Sequence, residues 1–413
     1  MRRFITLCSL VVVFSFSRAY GSGFALYEAS VRIAGMMGAY VANGNNASTI
    51  FYNPAGLAQL SGINVSFGST FIAPRTTFRG PLPYSVSKSF LDKQTFFVPN
   101  FYATYQIRDG LTAGIGLYAP YGLGTRWPSN WVGRGEAINT EIQTLYLNPA
   151  LAYRLPIDGI NIMVGAGVTM VVTSQVKLSR AVTELVPEGT FSLKGDQNDM
   201  ATGYNVGIMI QPNKMVSIGF TYRSKVKVEY SGIAQFNNLP ASAFPAGIKG
   251  RTKINMPANL AVGVNVKPIK NLNVEADYVW YEWSSFKTLE INFDQQTALL
   301  TDLKIPRDYK NSSQVRVGGE YNNAFVNNLT LRAGISYDNS PIPNYTLDPT
   351  LPDNNRWSFS GGVSYKITNM LSVDAFYMFI RAKERTVMDN FDGFNGYYNT
   401  YANLYGIGFT INI

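Results

Sequence analysis

From about residue 63 to the C-terminus, amphipathic stretches are connected by segments, or joints, that are alternately short and long. This alternation in joint length constrains the possible fold of the chain more than any other feature. Short joints such as residues 108–110 and 367–369 alternate with long polar stretches such as residues 178–198 and 285–312. An antiparallel membrane barrel has short turns on its periplasmic side and long loops on its outer side. The alternation therefore predicts about fourteen strands, an even number that returns both ends to one side.

The composition supports a membrane-spanning fold. Only 15% of the 413 residues are charged and 46% are hydrophobic, whereas a soluble domain carries about 25% charged residues. Outside the first twenty residues no apolar run reaches the ~18 residues that a spanning helix needs. Since only helices and closed barrels satisfy their backbone groups in lipid, the predicted fold class is an all-β membrane protein, an antiparallel transmembrane β-barrel.

The last run of the chain shows the alternation that a barrel strand needs. Tyr405, Ile407 and Phe409 face one side, and Gly406 and Gly408 face the other. This apolar-out, small-or-polar-in order is typical of barrel strands. A soluble β-sandwich alternates in the same way, but it does not explain the long–short joints.

The N-terminus indicates export. A short basic start, an apolar core over residues 4–16 and a small-x-small site at residues 19–21 predict a signal peptide over residues 1–21. Its removal takes away three arginines and leaves 32 basic against 26 acidic residues, a net charge of +6. This mild excess does not predict nucleic-acid binding. We expect a bacterial outer-membrane location, with outer-membrane lipid headgroups or an acidic ligand as partners of the positive loops.

Missing residue types argue against an enzyme. The chain has no histidine, and its single cysteine, Cys8, lies in the predicted signal peptide. Histidine-dependent hydrolysis and the common zinc sites are therefore excluded. Acidic loop residues such as Asp338, Asp348 and Asp353 are more typical of solvated or ion-paired positions. No glycine-rich phosphate loop is present, so we predict no enzymatic activity, no metal and no cofactor.

Residues 22–61 differ from the rest of the chain. They lack strand-like alternation, and their apolar residues recur at roughly helical spacing. Asn53 followed by Pro54 is a typical helix start. About forty residues cannot build a core alone, so this segment is predicted to dock inside the barrel as a small helical hatch, or plug. Residues 62–413 then form the barrel.

Several stretches, in order along the chain, resemble one known family. The sequence is similar to the FadL-type outer-membrane transporters of long-chain fatty acids, a family that includes the toluene and aromatic-hydrocarbon transporters. The resemblance runs from about residue 23 to the end. The matching stretches are residues 24–28, 45–57, 118–123, 148–153, 256–258, 272–286 and 351–356.

The resemblance implies passive uptake of hydrophobic compounds, with capture at the outer loops, a hatch that controls passage and lateral release through the barrel wall. It assigns the hatch motif to Asn53, Pro54 and Ala55. Near the start of the mature chain, the residues predicted to contact the hydrophobic ligand are Phe24, Leu26, Tyr27, Met36 and Met37. Packing of the hatch against the wall explains these five residues equally well.

The third predicted strand, residues 111–119, is the expected place of a kink and lateral gate. Gly114 and Gly116 lie within it and Pro120 follows it, and both residue types favour bulges and broken ladders. An equal alternative is that the two glycines make room for the hatch. Sideways release suits an apolar solute, which gains about 0.8 kcal/mol per CH₂ on leaving water.

Two other functions remain as alternatives: a general porin for small polar solutes, and a surface adhesin or binding protein. A porin predicts an open lumen without a dedicated plug, which residues 22–61 argue against. The protein is expected to act as a monomer. Long-chain fatty acids, alkanes and monoaromatic compounds all suit the predicted pocket.

Overall fold

The computed structural model describes residues 23–185 and 187–413, so the predicted signal peptide lies outside the described residues. No helix within these ranges is long and apolar enough to cross a membrane. In chain order the strands are β1 (Ile63–Leu82), β2 (Lys88–Phe90), β3 (Phe96–Arg108), β4 (Leu111–Tyr118), β5 (Gly122–Arg126), β6 (Asn139–Arg154), β7 (Asn161–Val182), β8 (Gly189–Gln197), β9 (Thr202–Gln211), β10 (Val216–Arg223), β11 (Val226–Asn237), β12 (Lys249–Met256), β13 (Asn259–Ile269), β14 (Leu272–Tyr281), β15 (Thr288–Phe293), β16 (Leu303–Pro306), β17 (Ser312–Asn322), β18 (Leu329–Asp338), β19 (Arg356–Lys366), β20 (Leu371–Ala382), β21 (Arg385–Val387) and β22 (Asn395–Asn412).

Fourteen of these strands form a closed antiparallel barrel, which confirms the predicted fold class and strand number. The first and last strands close it, pairing from Asn64 opposite Asn412 to Leu82 opposite Asn395. Because closure pairs both edges, the barrel leaves no open sheet edge in the membrane. Around the barrel the order is β1, β3, β4, β6, β7, β9, β10, β13, β14, β17, β18, β19, β20 and β22.

The remaining strands extend the barrel at the end that carries the long loops. There β8 pairs with both β7 and β11, and the ladder continues through β12 and β15 to β16. Phe191, Leu193, Phe244 and Phe293 lie buried in a small hydrophobic core of this extension. The long loops are therefore partly folded into sheet.

Side chains alternate between the two faces of the wall as a membrane barrel requires. In β22, Tyr405 and Ile407 are exposed, whereas Leu404 and Thr410 are buried. On the exposed face, Phe67 stacks on Phe409 of the neighbouring strand at a ring-centre distance of 5.3 Å. The outer face is apolar and aromatic, and the inner face carries the polar groups.

The N-terminal segment, residues 23–62, contains α1 (Val31–Ala34), α2 (Thr49–Tyr52) and a 3₁₀ helix, Pro54–Gln59. Two further 3₁₀ turns, Trp283–Ser285 and Asn344–Thr346, lie between strands. Helices this short are marginal by themselves. Almost every side chain of the segment is buried, with α1 against β19 and β20 and the 3₁₀ helix against β6, β7 and β9. The barrel wall therefore supplies the packing that holds the segment.

Candidate functional site

Pairs of glycines on neighbouring strands form the seat of the N-terminal segment. A Cβ atom on Gly207 would lie 1.9 Å from Asn53 Oδ1, and one on Gly165 would lie 2.5 Å from the backbone nitrogen of Ala55. Neither position has room for a side chain, so the segment's backbone lies directly on the wall. The cross-strand pairs are Gly68 with Gly408, Gly165 with Gly207, Gly219 with Gly263 and Gly318 with Gly334.

Asn53 joins two parts of the segment to the wall. Its side-chain oxygen accepts a hydrogen bond from the backbone N–H of Ala55 at 3.1 Å, which caps the 3₁₀ helix. Its side-chain nitrogen donates to the carbonyl of Val41 at 2.7 Å and to that of Ile208, on β9, at 3.2 Å. Pro54 occupies the first helical position, where no N–H is needed. The predicted motif thus has an ordering role in the segment.

Two buried carboxylates on β14 hold the middle of the segment. Asp277 accepts the backbone N–H of Tyr40 at 2.8 Å and that of Val41 at 3.3 Å. Glu275 accepts the N–H of Ala42 at 2.6 Å. Together the two side chains accept three backbone N–H groups, so they are the main polar anchors of residues 40–42.

A second ionic group fixes α1. Arg32 lies 2.9 Å from Glu320 of β17, and Arg332 of β18 lies 2.7 Å from the same carboxylate. Asp374 of β20 lies 3.8 Å from each arginine. Two cations and two anions balance within this buried group, which avoids the large cost of an unpaired buried charge.

A cavity of about 490 Å³ lies where the start of the N-terminal segment meets the wall. Its volume falls in the range of small-molecule pockets. Most of its lining is apolar, and residues from the segment and from seven of the barrel strands contribute. The lining includes Phe24, Leu26, Ile72, Phe96, Pro99, Leu123, Ile142 and Leu404.

The few ionisable side chains at this cavity either form ion pairs or hydrogen bonds, or are held toward their neutral form by burial. Arg356 donates to Asp338 at 2.9 Å, and Asp353 accepts from the Ser340 hydroxyl at 2.8 Å. Burial raises the pKa of the Glu28 carboxyl in the N-terminal segment and that of Asp353 in its loop. Both carboxyl groups are therefore held toward their neutral form, which suits an apolar occupant.

The wall bends inward beside this cavity. Strand β4 ends at Tyr118, and the chain after it pairs with the N-terminal segment through a bridge between Ala25 and Tyr121. Leu26 N–H donates to the carbonyl of Pro120 at 2.8 Å, and Gly122 N–H donates to that of Phe24 at 3.0 Å. The segment thus takes the place of a neighbouring strand at the bend.

This bend leaves one edge of β3 without a partner. The β3–β4 ladder begins at Phe101 opposite Leu117. Among the described residues, none pairs with residues 96–100 on that side, and Pro99 has no N–H to offer. The ring of Phe96 covers the opening, because a Cβ atom on Gly124 of β5 would lie only 1.8 Å from the ring. Next to the ring, the side-chain amide of Gln94 donates a hydrogen bond of 3.0 Å to the carbonyl of Gly124.

Of the five residues predicted to contact ligand, Phe24 and Leu26 line the cavity. Phe24 also packs edge-on against Trp283, at a ring-centre distance of 4.5 Å. The backbone of Met36 and the side chain of Met37 lie against the glycines of β17 and β18. Tyr27 is buried beside them, under the guanidinium of Arg316. These last three residues pack the segment against the wall.

The residues predicted for the kink fall into two groups. Gly114 and Gly116 lie in the regular ladders of β4, opposite Thr104 and Tyr102 of β3. A Cβ atom on Gly114 would lie 2.8 Å from the side chain of Ile50, so these glycines make room for the N-terminal segment. Pro120 lies in the bend itself.

Sequence reasoning missed the wall residues of the opening. Residues 96–99 read Phe-Phe-Val-Pro, an apolar run on both faces of a strand that ends in a residue unable to donate to a ladder. That break in the alternation was the available signal. The glycine pairs had no local signal, because strand register decides which glycines meet.

A closed membrane barrel whose lumen holds an N-terminal segment beside an apolar cavity defines a class of outer-membrane transport proteins. The family model described as outer membrane protein transport protein (OMPP1/FadL/TodX) matches residues 12–412. The chain belongs to this family, which confirms the predicted resemblance, the outer-membrane location and the expectation of a transport protein that is not an enzyme.

Relatives and solved structures agree. A long-chain fatty acid transport protein of Salmonella typhi is 26% identical, covering 87% of each chain. The crystal structure of a Pseudomonas aeruginosa FadL homologue matches with a TM-score of 0.80 at 21% identity, covering 95% of this chain and all of that one. The Ralstonia pickettii toluene transporter TbuX matches with a TM-score of 0.69 at 19% identity, covering 94% and 100%.

Proposed function

We propose that this protein takes up hydrophobic compounds passively across the outer membrane and releases them sideways into the bilayer. A long-chain fatty acid or a hydrocarbon is captured among the outer loops, occupies the cavity beside Phe24 and Leu26, and leaves between β3 and β5. The observation that carries the proposal is the meeting of an apolar cavity with the one unpaired edge of β3 described above. Relatives named for fatty acid and toluene transport support the substrate class.

The driving force requires no energy source in the protein. Each CH₂ group that leaves water contributes about 0.8 kcal/mol, and a solute that passes from the cavity to the bilayer never returns to water. The lining at the opening is apolar, with Phe96 and Pro99 on one side and Leu123 on the other. The concentration gradient of the solute is therefore sufficient for net uptake.

In this proposal the N-terminal segment is the hatch that closes the lumen to polar solutes. Its seat on glycine pairs and its bonds to Glu275 and Asp277 support that role. The start of the hatch lies at the cavity and at the bend, so occupation of the cavity and the position of residues 24–26 are coupled.

Uptake measurements test the proposal. Cells that express wild-type protein, Leu26→Gln or Ile157→Gln are supplied with labelled long-chain fatty acid or labelled monoaromatic compound. Leu26 lines the cavity, whereas Ile157 is exposed in a short turn. We expect several-fold slower uptake with Leu26→Gln and unchanged uptake with Ile157→Gln, because an amide in the cavity opposes an apolar ligand. Unchanged uptake with both variants contradicts the assigned cavity.

Two further measurements separate this function from a porin. Liposomes that contain the purified barrel should not swell in sugar solutions, and rapid sugar entry would contradict a closed lumen. Native mass spectrometry of the purified barrel should show a retained apolar compound, and its mass identifies the substrate class.

A further inference from the structure

Outward-facing cations lie among aromatic rings at the outer end of five neighbouring strands. The strands are β18, β19, β20, β22 and β1, and each contributes one residue to a row in register. In that order the residues are Tyr337, Trp357, Arg381, Tyr401 and Arg75. Trp357, Arg381 and Tyr401 are exposed on the outside of the barrel. This is a continuous row of three rings and two guanidinium groups.

A second row lies four residues further along β1. There Arg79 faces Lys88 of β2 on one side and Tyr397 of β22 on the other. The guanidinium carbon of Arg79 lies 4.3 Å above the centre of the Tyr397 ring. Its Nε–H is buried without a hydrogen-bond partner, so the side chain is held in place with an unused donor. These residues line a depression of about 280 Å³.

The cations of the two rows and Lys383, which lies beside Tyr337, form the basic patch, defined as Arg75, Arg79, Lys88, Arg381 and Lys383. Within residues 23–185 and 187–413 no carboxylate forms an ion pair with any of the five. Lys383 lies 5.8 Å from the ring centre of Tyr337, and Glu384 is the acidic residue that lines the depression. A surplus of positive charge on one outward face favours an anionic partner.

The height of the basic patch on the barrel identifies where that partner lies. Toward the short-turn end, β1 and β22 carry an apolar band in which Phe71 stacks on Tyr405 and Phe67 on Phe409. Toward the other end the long loops begin. The patch therefore lies above the hydrocarbon band on the outer side, at the level of lipid headgroups.

We propose that the basic patch is a binding site for a phosphorylated glycolipid of the outer leaflet. Arginine side chains bind phosphate with two parallel hydrogen bonds, and exposed rings stack on sugar faces while sitting at the membrane interface. The two rows are roughly 13 Å apart at about 3.3 Å per residue, which suits a disaccharide headgroup with two phosphates. The acyl chains then lie along the apolar band below. None of the five cations of the patch lines the cavity beside Phe24 and Leu26.

Binding of lipid A, a glucosamine disaccharide with two phosphates, tests the proposal. Fluorescent lipid A is titrated with the full-length barrel in detergent micelles, and dephosphorylated lipid A is the second probe. The variant replaces Arg79, Lys88 and Arg381 by Gln. The control replaces Lys214, Lys267 and Lys270 by Gln. These three are exposed in or next to short turns at the other end, so the control removes the same charge.

We expect the triple variant to bind lipid A roughly 100-fold more weakly, about fivefold for each charge removed at a lipid surface, and the control to stay within about twofold. Wild-type protein should prefer the phosphorylated probe, and its affinity should fall as salt is added. Equal loss in both variants, equal binding of the two probes or no salt dependence would each overturn the site. Heat-modifiable mobility on gels reports barrel folding, and the probe and salt comparisons use only wild-type protein.

Discussion

Removal of the two carboxylates of β14 should open the barrel to polar solutes. In the double variant Glu275→Ala with Asp277→Ala, the N–H groups of residues 40–42 lose their acceptors. The two shortest of these bonds, 2.8 Å and 2.6 Å, link backbone donors to two neighbouring buried carboxyl groups, which do not both carry a charge. A bond to a charged carboxylate contributes about 1.5–3 kcal/mol and a bond to a neutral carboxyl group about 0.5–1.5 kcal/mol, so the docking free energy of the hatch falls by about 2–4.5 kcal/mol.

This loss of docking free energy greatly changes the fraction of molecules in which the hatch is undocked. Each 1.4 kcal/mol is a factor of ten, so the undocked fraction of the hatch rises by about one to three orders of magnitude. Arg316, which donates to the carbonyl of Gly38 at 3.1 Å, also loses its neighbouring carboxylate. The barrel ladders remain, because the altered side chains point into the lumen.

The measurement is sugar-driven swelling of liposomes, or conductance across a planar bilayer. We expect wild-type protein to be closed and the double variant to conduct. Asp277→Asn keeps an acceptor and should have a smaller effect, because a neutral bond still contributes about 0.5–1.5 kcal/mol. The charge-matched control is Asp158→Ala with Glu290→Ala, both exposed positions. A folded double variant that stays as tight as wild type would refute the assigned anchors.

Two further predictions concern the seat of the hatch and the outer loops. Gly207→Ala should raise sugar permeability, because the added Cβ collides with Asn53, whereas Gly361→Ala should not, because nothing lies within 4 Å of its Cβ position. Burial beside Asp392 raises the pKa of Glu136, in the loop after β5, to about 8. The folded loop therefore holds a proton that the open loop loses above about pH 4.5. Protection of residues 127–137 from proteolysis should fall from pH 5 to pH 8, and Glu136→Gln should remove this dependence; a Gln variant with the same pH profile would contradict the assignment.

The barrel was predictable from joints and alternation because both are local features of the chain. The same reasoning missed the strands beyond the membrane, such as β8 and β15. They lie in stretches that read as polar loops, and only their pairing with β7 and β12 makes them sheet. Short strands whose ladders form outside lipid need no apolar face toward the bilayer, so composition does not mark them.

The candidate site was predictable in part. Phe24 and Leu26 were found because they begin the mature chain, and the structure places both at the cavity. Met36 was proposed on its chemistry, but its backbone lies against Gly318. Which glycines face each other, and that Phe96 reaches across to Gly124, depend on register and on the bend after β4. A short stretch of sequence predicts neither the strand register nor the bend.

Lateral release is the central claim, and a reversible lock across the opening tests it most directly. Cys8 is the only native cysteine, so the pair Phe96→Cys with Gly124→Cys can be joined by a short, cleavable thiol linker. The control pair, Val317→Cys with Ile335→Cys, joins two exposed neighbours in an intact ladder.

The account predicts that the linked 96–124 variant loses uptake of labelled hydrophobic compound and that cleavage of the linker restores it. The linked 317–335 variant should take up the compound at the wild-type rate. Full uptake with the 96–124 link quantitatively in place would contradict sideways release.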